Sequence, residues 1–425
     1  MLFLLFLLSV NSQKTVNVCT SRRPVFLFNG ILGSSLSANI SNYGSNEVDS
    51  ACWEHQATNQ RVWASYDLLN PSTRKCIPQY LQMHYDVDTH QMRNAENVEL
   101  YYPNANSVNG VSTISPDPIT KNLLRLYADI VDNLQAIGYE DMYDLQVAAT
   151  DWRVMKQSTV WTQNIKKNIE TAFNIANKKV ILVGHSMGGL TISDFLEDMG
   201  QKWVDKYIQR VVSISTPWLG AVKTIKALLE GDNADLPKEV IPLDLFLNAS
   251  RTFESVYAMA PNELYYKTEN GLLSAKELVK LLDSFKDEVD EKGDFVNNAL
   301  KLSKRNYKKR GVKYPLTCMH GHNVNTFVGY QMVNGLLEKV YENEGDGTVE
   351  SQSLSYCDQL GMENFVGLTI YGASHVGILK SDSVIKIIQE YACDEVDYVP
   401  EPLTFWEKVI VIAYEIFNFF VELFD

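Results

Sequence analysis

Residues 178–190 read KKVILVGHSMGGL: two lysines, an apolar run, then three glycines gathered around one serine. Val180 to Val183 has the β-branched, apolar composition of a buried strand, and from Leu190 to Met199 apolar residues recur at helical spacing. Strand, turn and helix follow one another without a linker, so Ser186 falls in the turn. Gly184 and Gly188, two residues to either side, allow strand and helix to pack closely around a strained backbone, which pushes the serine hydroxyl outward. A helix starting just behind it aims N–H groups and a positive dipole end at any oxyanion formed there. A G-x-S-x-G string also arises by accident in many chains, and the strand-turn-helix context is what turns this one into a nucleophile elbow.

An elbow of this kind needs an acid and a histidine downstream, in that order. The chain has histidines at 55, 84, 90, 185, 320, 322 and 375. Only His375 lies well beyond Ser186 and follows a strand-like run, VGLTIYGASH. His320 and His322, in CMHGHNV, are its competitors, but they would draw their acid from the polar middle of the chain. Between Ser186 and His375 the segment NEGDGTV offers Asp346 between two glycines. Gly-Asp-Gly is commonly a plain turn, so the assignment rests on the three segments together. An oxyanion hole takes one amide from the residue after the nucleophile, here Met187, and one from a loop after an early strand. PVFLFNGILGSSL supplies that loop at Gly30–Gly33, and Ile31 carries the second amide.

Seven ordered segments together resemble the lecithin:cholesterol acyltransferase family, which includes the lysosomal phospholipase A that also transfers acyl chains. They are PVFLFNGILGSSLSA, CWEH with RVWASYDLLNP and KC, AATDWR, VILVGHSMGGL, SISTPWLGA, GDGTV and ASHVGIL. The resemblance runs from about residue 23 to about 380. It implies an α/β-hydrolase fold with a cap or lid insertion and a small disulfide-closed lipid-docking insertion. It puts the nucleophile on Ser186, the acid on Asp346, the base on His375 and the oxyanion-hole amides on Ile31 and Met187. It also implies disulfides Cys52–Cys76 and Cys318–Cys357, leaving Cys19 and Cys393 as a possible third pair. Six cysteines allow fifteen pairings, and spacing alone does not choose among them. Two departures stand out: Asn29 replaces the usual proline before the first loop glycine, and Ile31 replaces the aspartate of the lysosomal branch. An acidic optimum therefore does not follow by analogy.

The reaction so implied is serine-dependent cleavage of a glycerophospholipid acyl ester, with the acyl group passed to water or to a hydroxyl acceptor such as a sterol. A soluble carboxylesterase acting on small esters and a non-catalytic lipid-binding protein are the rival readings. The partner would be a phospholipid membrane or lipid-particle surface. At a net charge of −14 the chain suits neither nucleic acid nor an anionic membrane, so lipid contact would rely on apolar side chains. No H-E-x-x-H, C-x-x-C, phosphate loop or dinucleotide fingerprint calls for a metal or cofactor.

The expected organisation has a signal peptide at 1–12, with a buried N-terminal helix as the alternative. A hydrolase core follows at 13–41, 111–217 and 313–392, with a lipid-docking insertion at 42–110 and a cap or lid at 218–312. The chain would end in a C-terminal amphipathic tail at 393–425. In the docking insertion Trp53, Trp63 and Tyr66 suit a membrane interface, and by resemblance Trp63 is the lipid-contacting tryptophan; the alternative is that these rings pack on the body. Asp151 and Arg153 read as a structural pair. The apolar helix at 405–425 is broken by Lys408, Glu415, Asn418 and Glu422, which leaves packing on the body, oligomer contact or an interfacial anchor open. Asn39 and Asn248 stand in N-x-S sequons that matter in a secreted, lysosomal or vacuolar protein. The cysteine count agrees with such an oxidising compartment.

Overall fold

Short apolar strands alternating with helices predict a parallel sheet, because parallel neighbours need crossover connections. The computed structural model describes residues 15–400 apart from 54–56, 87, 90, 104, 116–123, 234–241, 265, 268–270, 286–288 and 290–293. The expected signal peptide and the apolar helix at 405–425 lie outside the described residues. Six parallel strands form the centre: β1 (Val25–Phe28), β2 (Leu145–Val147), β3 (Val180–His185), β4 (Ile208–Ile214), β5 (Pro315–His322) and β6 (Glu363–Tyr371). Their order across the sheet is β6-β5-β4-β3-β1-β2. Helix α1 (Thr159–Ala176) connects β2 to β3, α2 (Met187–Met199) connects β3 to β4, α3 (Val222–Glu230) lies between β4 and β5, and α4 (Asp382–Ala392) follows β6.

Period-two alternation sends Phe26, Phe28, Val180 and Leu182 into one core and Val25, Leu27, Ile181 and Val183 into another. Both faces of the sheet are thus covered, which is why residues 180–183 of β3 are an unbroken apolar run. The chain leaves β1 toward β2 on one side and leaves β3 toward β4 on the other. This reversal of strand order opens a crevice beyond the carboxyl ends of β1 and β3, where α/β sheets bind ligands. The Gly30 loop and Ser186 both stand there.

Between β1 and β2 the chain builds a separate antiparallel sheet, ordered Ala57–Trp63, Leu36–Ile40, Val98–Tyr101. Leu36–Ile40, grouped with the hydrolase core by sequence, is the middle strand of this sheet: both its edges are taken by strands of the 42–110 segment. Arg153 ties that segment to the body. It is 1% exposed, pairs with Asp151 Oδ2 at 2.7 Å, and donates to Leu81 O and Asn94 Oδ1. Disulfides join Cys52 to Cys76, Cys318 to Cys357, and Cys19 to Cys393. Next to the last of these, Thr15–Cys19 pairs antiparallel with Val396–Pro400, so the first residues of the 393–425 stretch form a strand. Among the described residues no helix is long and apolar enough to cross a membrane.

Candidate active site

β3 ends at His185, α2 begins at Met187, and Ser186 between them has φ 56° and ψ −128°. That is a left-handed backbone held in a non-glycine residue, a strain that persists only where the surroundings enforce it. Close packing is the enforcer. A methyl on Gly188 would stand 2.3 Å from Phe28 O, and one on Gly184 would stand 2.7 Å from Gly188 C. The glycines are needed for approach, since neither has a positive φ. A methyl on Gly30 would likewise stand 2.8 Å from Ser186 Cβ, so the loop after β1 is pressed against the serine. Ile31 follows Gly30 and Met187 follows Ser186, which brings the two oxyanion-hole candidates to the same turn.

Asn29 organises that loop. It is fully buried; its Oδ1 accepts the Thr150 N–H at 2.9 Å and its Nδ2 donates to Gly30 O at 3.0 Å. At the sequence level the missing proline looked only like a departure. Here the side chain laces the loop to the end of β2.

His375 lies in the loop after β6. Its Nδ1 donates to Asp346 Oδ2 at 2.7 Å and its backbone N–H donates to Asp346 O at 2.7 Å. A carboxylate can only accept, so Nδ1 carries a proton, and in the neutral ring Nε2 is then the atom that presents a lone pair. Asp346 is fully buried, and its Oδ1 accepts the amides of Thr348 and Val349 at 3.1 and 2.9 Å. Burial pushes its carboxyl up, but His375 and the two amides together outweigh this and hold it below the ordinary carboxylate value. Ser186 and His375 line the same cavity, without a hydrogen bond between them among the described residues. In free enzymes such bonds are commonly long and tighten once substrate is bound.

His185 is a second histidine beside the first. Its Nε2 lies 2.8 Å from His375 O, and the two rings are 4.8 Å apart. Burial, with His375 adding to it, lowers its pKa to about 3. A neutral ring facing a carbonyl must donate from Nε2, so His185 grips the backbone of His375. His320 and His322 do not share the cavity; His322 Nδ1 meets Ser351 Oγ at 2.6 Å and His320 Nδ1 meets Gly321 O.

The cavity has a volume of about 220 Å³. Its wall is mainly apolar, with Ile114, Leu124, Phe246 and Phe253 among the lining residues, and at one place it carries Lys223 and Asp232 at 3.8 Å. Trp63 is part of this wall. It is 1% exposed, donates from Nε1 to Leu32 O at 2.8 Å, and packs edge-on to Trp152 and Phe246. Of the two readings of this ring, an interfacial tryptophan or one packed on the body, its burial here matches the second. The pairing of Ala57–Trp63 with Leu36–Ile40 carries Trp63 inward, over the Gly30 loop. Trp53 is half-buried against Tyr43, which is 74% exposed; the Tyr66 side chain lies outside the described residues. Asn39 and Asn248 are both exposed.

A serine on a strained turn, a histidine held by a buried carboxylate and an apolar cavity beside them are the parts of nucleophilic acyl transfer. The model of the lecithin:cholesterol acyltransferase family matches residues 58–337. The lysosomal phospholipase A and acyltransferase of Bos taurus is 26% identical over 384 residues, covering 87% of this chain and 91% of that protein. Its Homo sapiens counterpart is 24% identical over 401 residues, covering 92% and 95%. The phosphatidylcholine-sterol acyltransferase of Gallus gallus is 29% identical over 218 residues, covering 51% of each chain.

Proposed function

The chain belongs to the lecithin:cholesterol acyltransferase family, and on that premise we propose that it is a serine-dependent acyl hydrolase and O-acyltransferase of glycerophospholipids. His375, oriented by Asp346, takes the Ser186 proton on Nε2 as Ser186 Oγ bonds to the ester carbonyl carbon. The amides of Ile31 and Met187 hold the oxyanion, each worth about 3 kcal/mol. As the tetrahedral intermediate collapses, the C–O bond to glycerol breaks and His375 returns the proton to the departing oxygen. Lysophospholipid leaves an acyl-serine behind. Water or a lipid hydroxyl such as that of a sterol then attacks it, giving its proton to His375; the second tetrahedral intermediate breaks its bond to Ser186 Oγ, which takes that proton back and frees the enzyme. No metal or cofactor enters this scheme.

The observation that carries the reading is the meeting of Ser186 and the His375–Asp346 pair at one apolar cavity. An acyl chain suits the aromatic wall at Trp63 and Phe246, and the polar place at Lys223 and Asp232 suits a headgroup. In this reading Trp63 contacts lipid from inside the cavity, the 42–110 segment brings the chain to a lipid surface, and the 218–312 segment shields the acyl-enzyme from bulk water. Three disulfides and two exposed sequons support entry into the secretory pathway, with glycans on Asn39 and Asn248.

Mass spectrometry of products from phosphatidylcholine liposomes with a different acyl chain at each position, with and without sterol, tests it. Wild type releases fatty acid or acyl-sterol, and Ser186→Ala loses this by about 10⁶-fold. Equal, trace product from both would refute the lipid reaction and favour the small-ester or carrier reading.

A further inference from the structure

Four residues beyond Asp346 stands a second buried carboxyl, Glu350, which the proton relay does not use. It is 4% exposed. Its Oε1 accepts the Val222 N–H at 3.0 Å, while Oε2 is buried without a hydrogen-bond partner among the described residues. Val222 is the first residue of α3, and the residue at the N-cap, Ala221, has no side chain able to cap. Glu350 therefore caps α3 from across the cavity wall. Ser353 strengthens the same junction: its Oγ accepts the Leu219 N–H at 3.0 Å and donates to Gly220 O at 2.6 Å. Ala221, Val349 and Leu354 fill the space between the two segments.

The other end of this strap is the acid loop. Gly345 and Glu350 pair as an antiparallel bridge, the Asp346 N–H donates to Val349 O at 3.1 Å, and Cys357 is bonded to Cys318 of β5. One short segment thus fixes both Asp346 and α3, whose Lys223, Thr224 and Ala227 line the cavity.

We propose that Glu350 is a positioning residue: it clasps the N-terminus of α3 to the acid loop, holding the cavity wall in register with His375. This rests on the reading of Ser186, His375 and Asp346 as acyl-transfer machinery. Among the described residues the titratable groups that act on Glu350 are Asp346 from its own loop and Tyr266 from the 218–312 segment, and neither is a cation. Lys223, one residue past Val222, faces Asp232. Burial pushes the Glu350 carboxyl up to about 8, and Asp346 adds to this. The dipole of α3 favours an anion, but by much less than burial opposes one.

The sign of the pH effect follows. The folded value exceeds the unfolded value of about 4.3, so folding takes up a proton between the two. The contribution is complete on the acid side and is lost as pH rises toward about 8. The clasp is firmest at acidic pH.

The test uses the full-length wild type, Glu350→Gln and Glu350→Ala. Thermal unfolding is followed from pH 4.5 to 8, and hydrolysis of p-nitrophenyl butyrate reads acyl-serine turnover whatever the natural lipid. Glu350→Gln, which keeps the acceptor for Val222 and carries no charge, is expected to unfold above wild type by a margin that widens as pH rises. Glu350→Ala is expected to lose about tenfold or more in kcat with little change in KM, and Gln to restore it. A margin flat in pH would overturn the neutral clasp, and so would an Ala variant with undiminished kcat. The Gln margin decides the matter even where the Ala variant fails to fold. It is read equally well in a Ser186→Ala background, so failure of the catalytic reading and failure of the clasp are told apart.

Discussion

Around Ser186 the chain is held by side chains that are missing, whereas around His375 it is held by two that are present, the Asp346 carboxylate and the His185 ring. Added methyls at Gly30, Gly184 and Gly188 would each fall under 3.0 Å from a neighbour, so the Gly30 loop presses on Ser186 Cβ and, from the elbow into α2, backbone presses on backbone. On the other side the Asp346 carboxylate gathers the Thr348 and Val349 amides and the His375 ring, the Asp346 carbonyl accepts the His375 N–H, and His185 donates to the His375 carbonyl. The nucleophile half should therefore be intolerant of added volume, and the acid–base half intolerant of altered charge.

The sharpest way to break the comparison is Asp346→Asn, which preserves shape and removes charge. An amide in place of the carboxylate can present a donor to Nδ1 and so favours the wrong tautomer of His375, a change that costs about 10⁴-fold in kcat in a triad of this kind. Its stability signature is opposite to that of Glu350. The Asp346 carboxyl sits below its ordinary value, so its contribution is present at neutral pH and is lost as pH falls through that lowered value. Asp346→Asn should destabilise at pH 7, with the gap closing toward strong acid. Thermal unfolding across pH checks it, and a pH-independent gap would show that Asp346 is not held ionised by its neighbours.

Volume is the complementary probe. Gly188→Ala puts a methyl 2.3 Å from the Phe28 carbonyl, which is backbone of the central sheet and cannot yield. We expect a loss of about 3 kcal/mol in stability and, in whatever folds, about 10²-fold in kcat as the serine is displaced. Gly311→Ala is the control: its methyl would meet nothing nearer than Glu197 Oε1 at 3.6 Å and should change neither quantity. Equal tolerance at the two positions would undo the view that the elbow is set by close approach.

These two halves were not equally legible in the sequence. The elbow was, because strand, turn and helix are contiguous and each announces itself by its own periodicity. Asp346 and His375 were reachable because each stands in a short segment next to a glycine or a strand end, and chain order did the rest. What escaped were contacts made across the fold. Asn29 looked like a lost proline until its amide was seen bridging Gly30 and Thr150. Leu36–Ile40 carries too little alternation to show which sheet it joins, and Trp63 is turned inward by that pairing. Glu350 sits in a run of polar residues, and only the approach of α3 from more than a hundred positions away makes it a buried cap.

His185 marks where the two halves meet, and it tests their connection with the smallest expected effect. It belongs to the elbow by position, yet its Nε2 donates to the backbone of His375. His185→Phe keeps an aromatic ring 4.8 Å from His375 while removing the donor, so packing is largely preserved and one buried carbonyl loses its partner. An unsatisfied buried acceptor costs about 1–3 kcal/mol, and were about 1.4 kcal/mol of that felt in the transition state the rate would fall about tenfold. Steady-state kinetics should show this mainly in kcat with little change in KM, because a ring of similar size remains where His185 lines the cavity and the apolar wall at Ile114, Leu124, Phe246 and Phe253 is untouched. Since His185 is neutral down to about pH 3, the acid limb of the pH–rate profile should keep its position in the variant. A limb that shifts on substitution would mean that His185 carries charge during turnover, and the two halves would then be coupled by electrostatics as well as by a hydrogen bond.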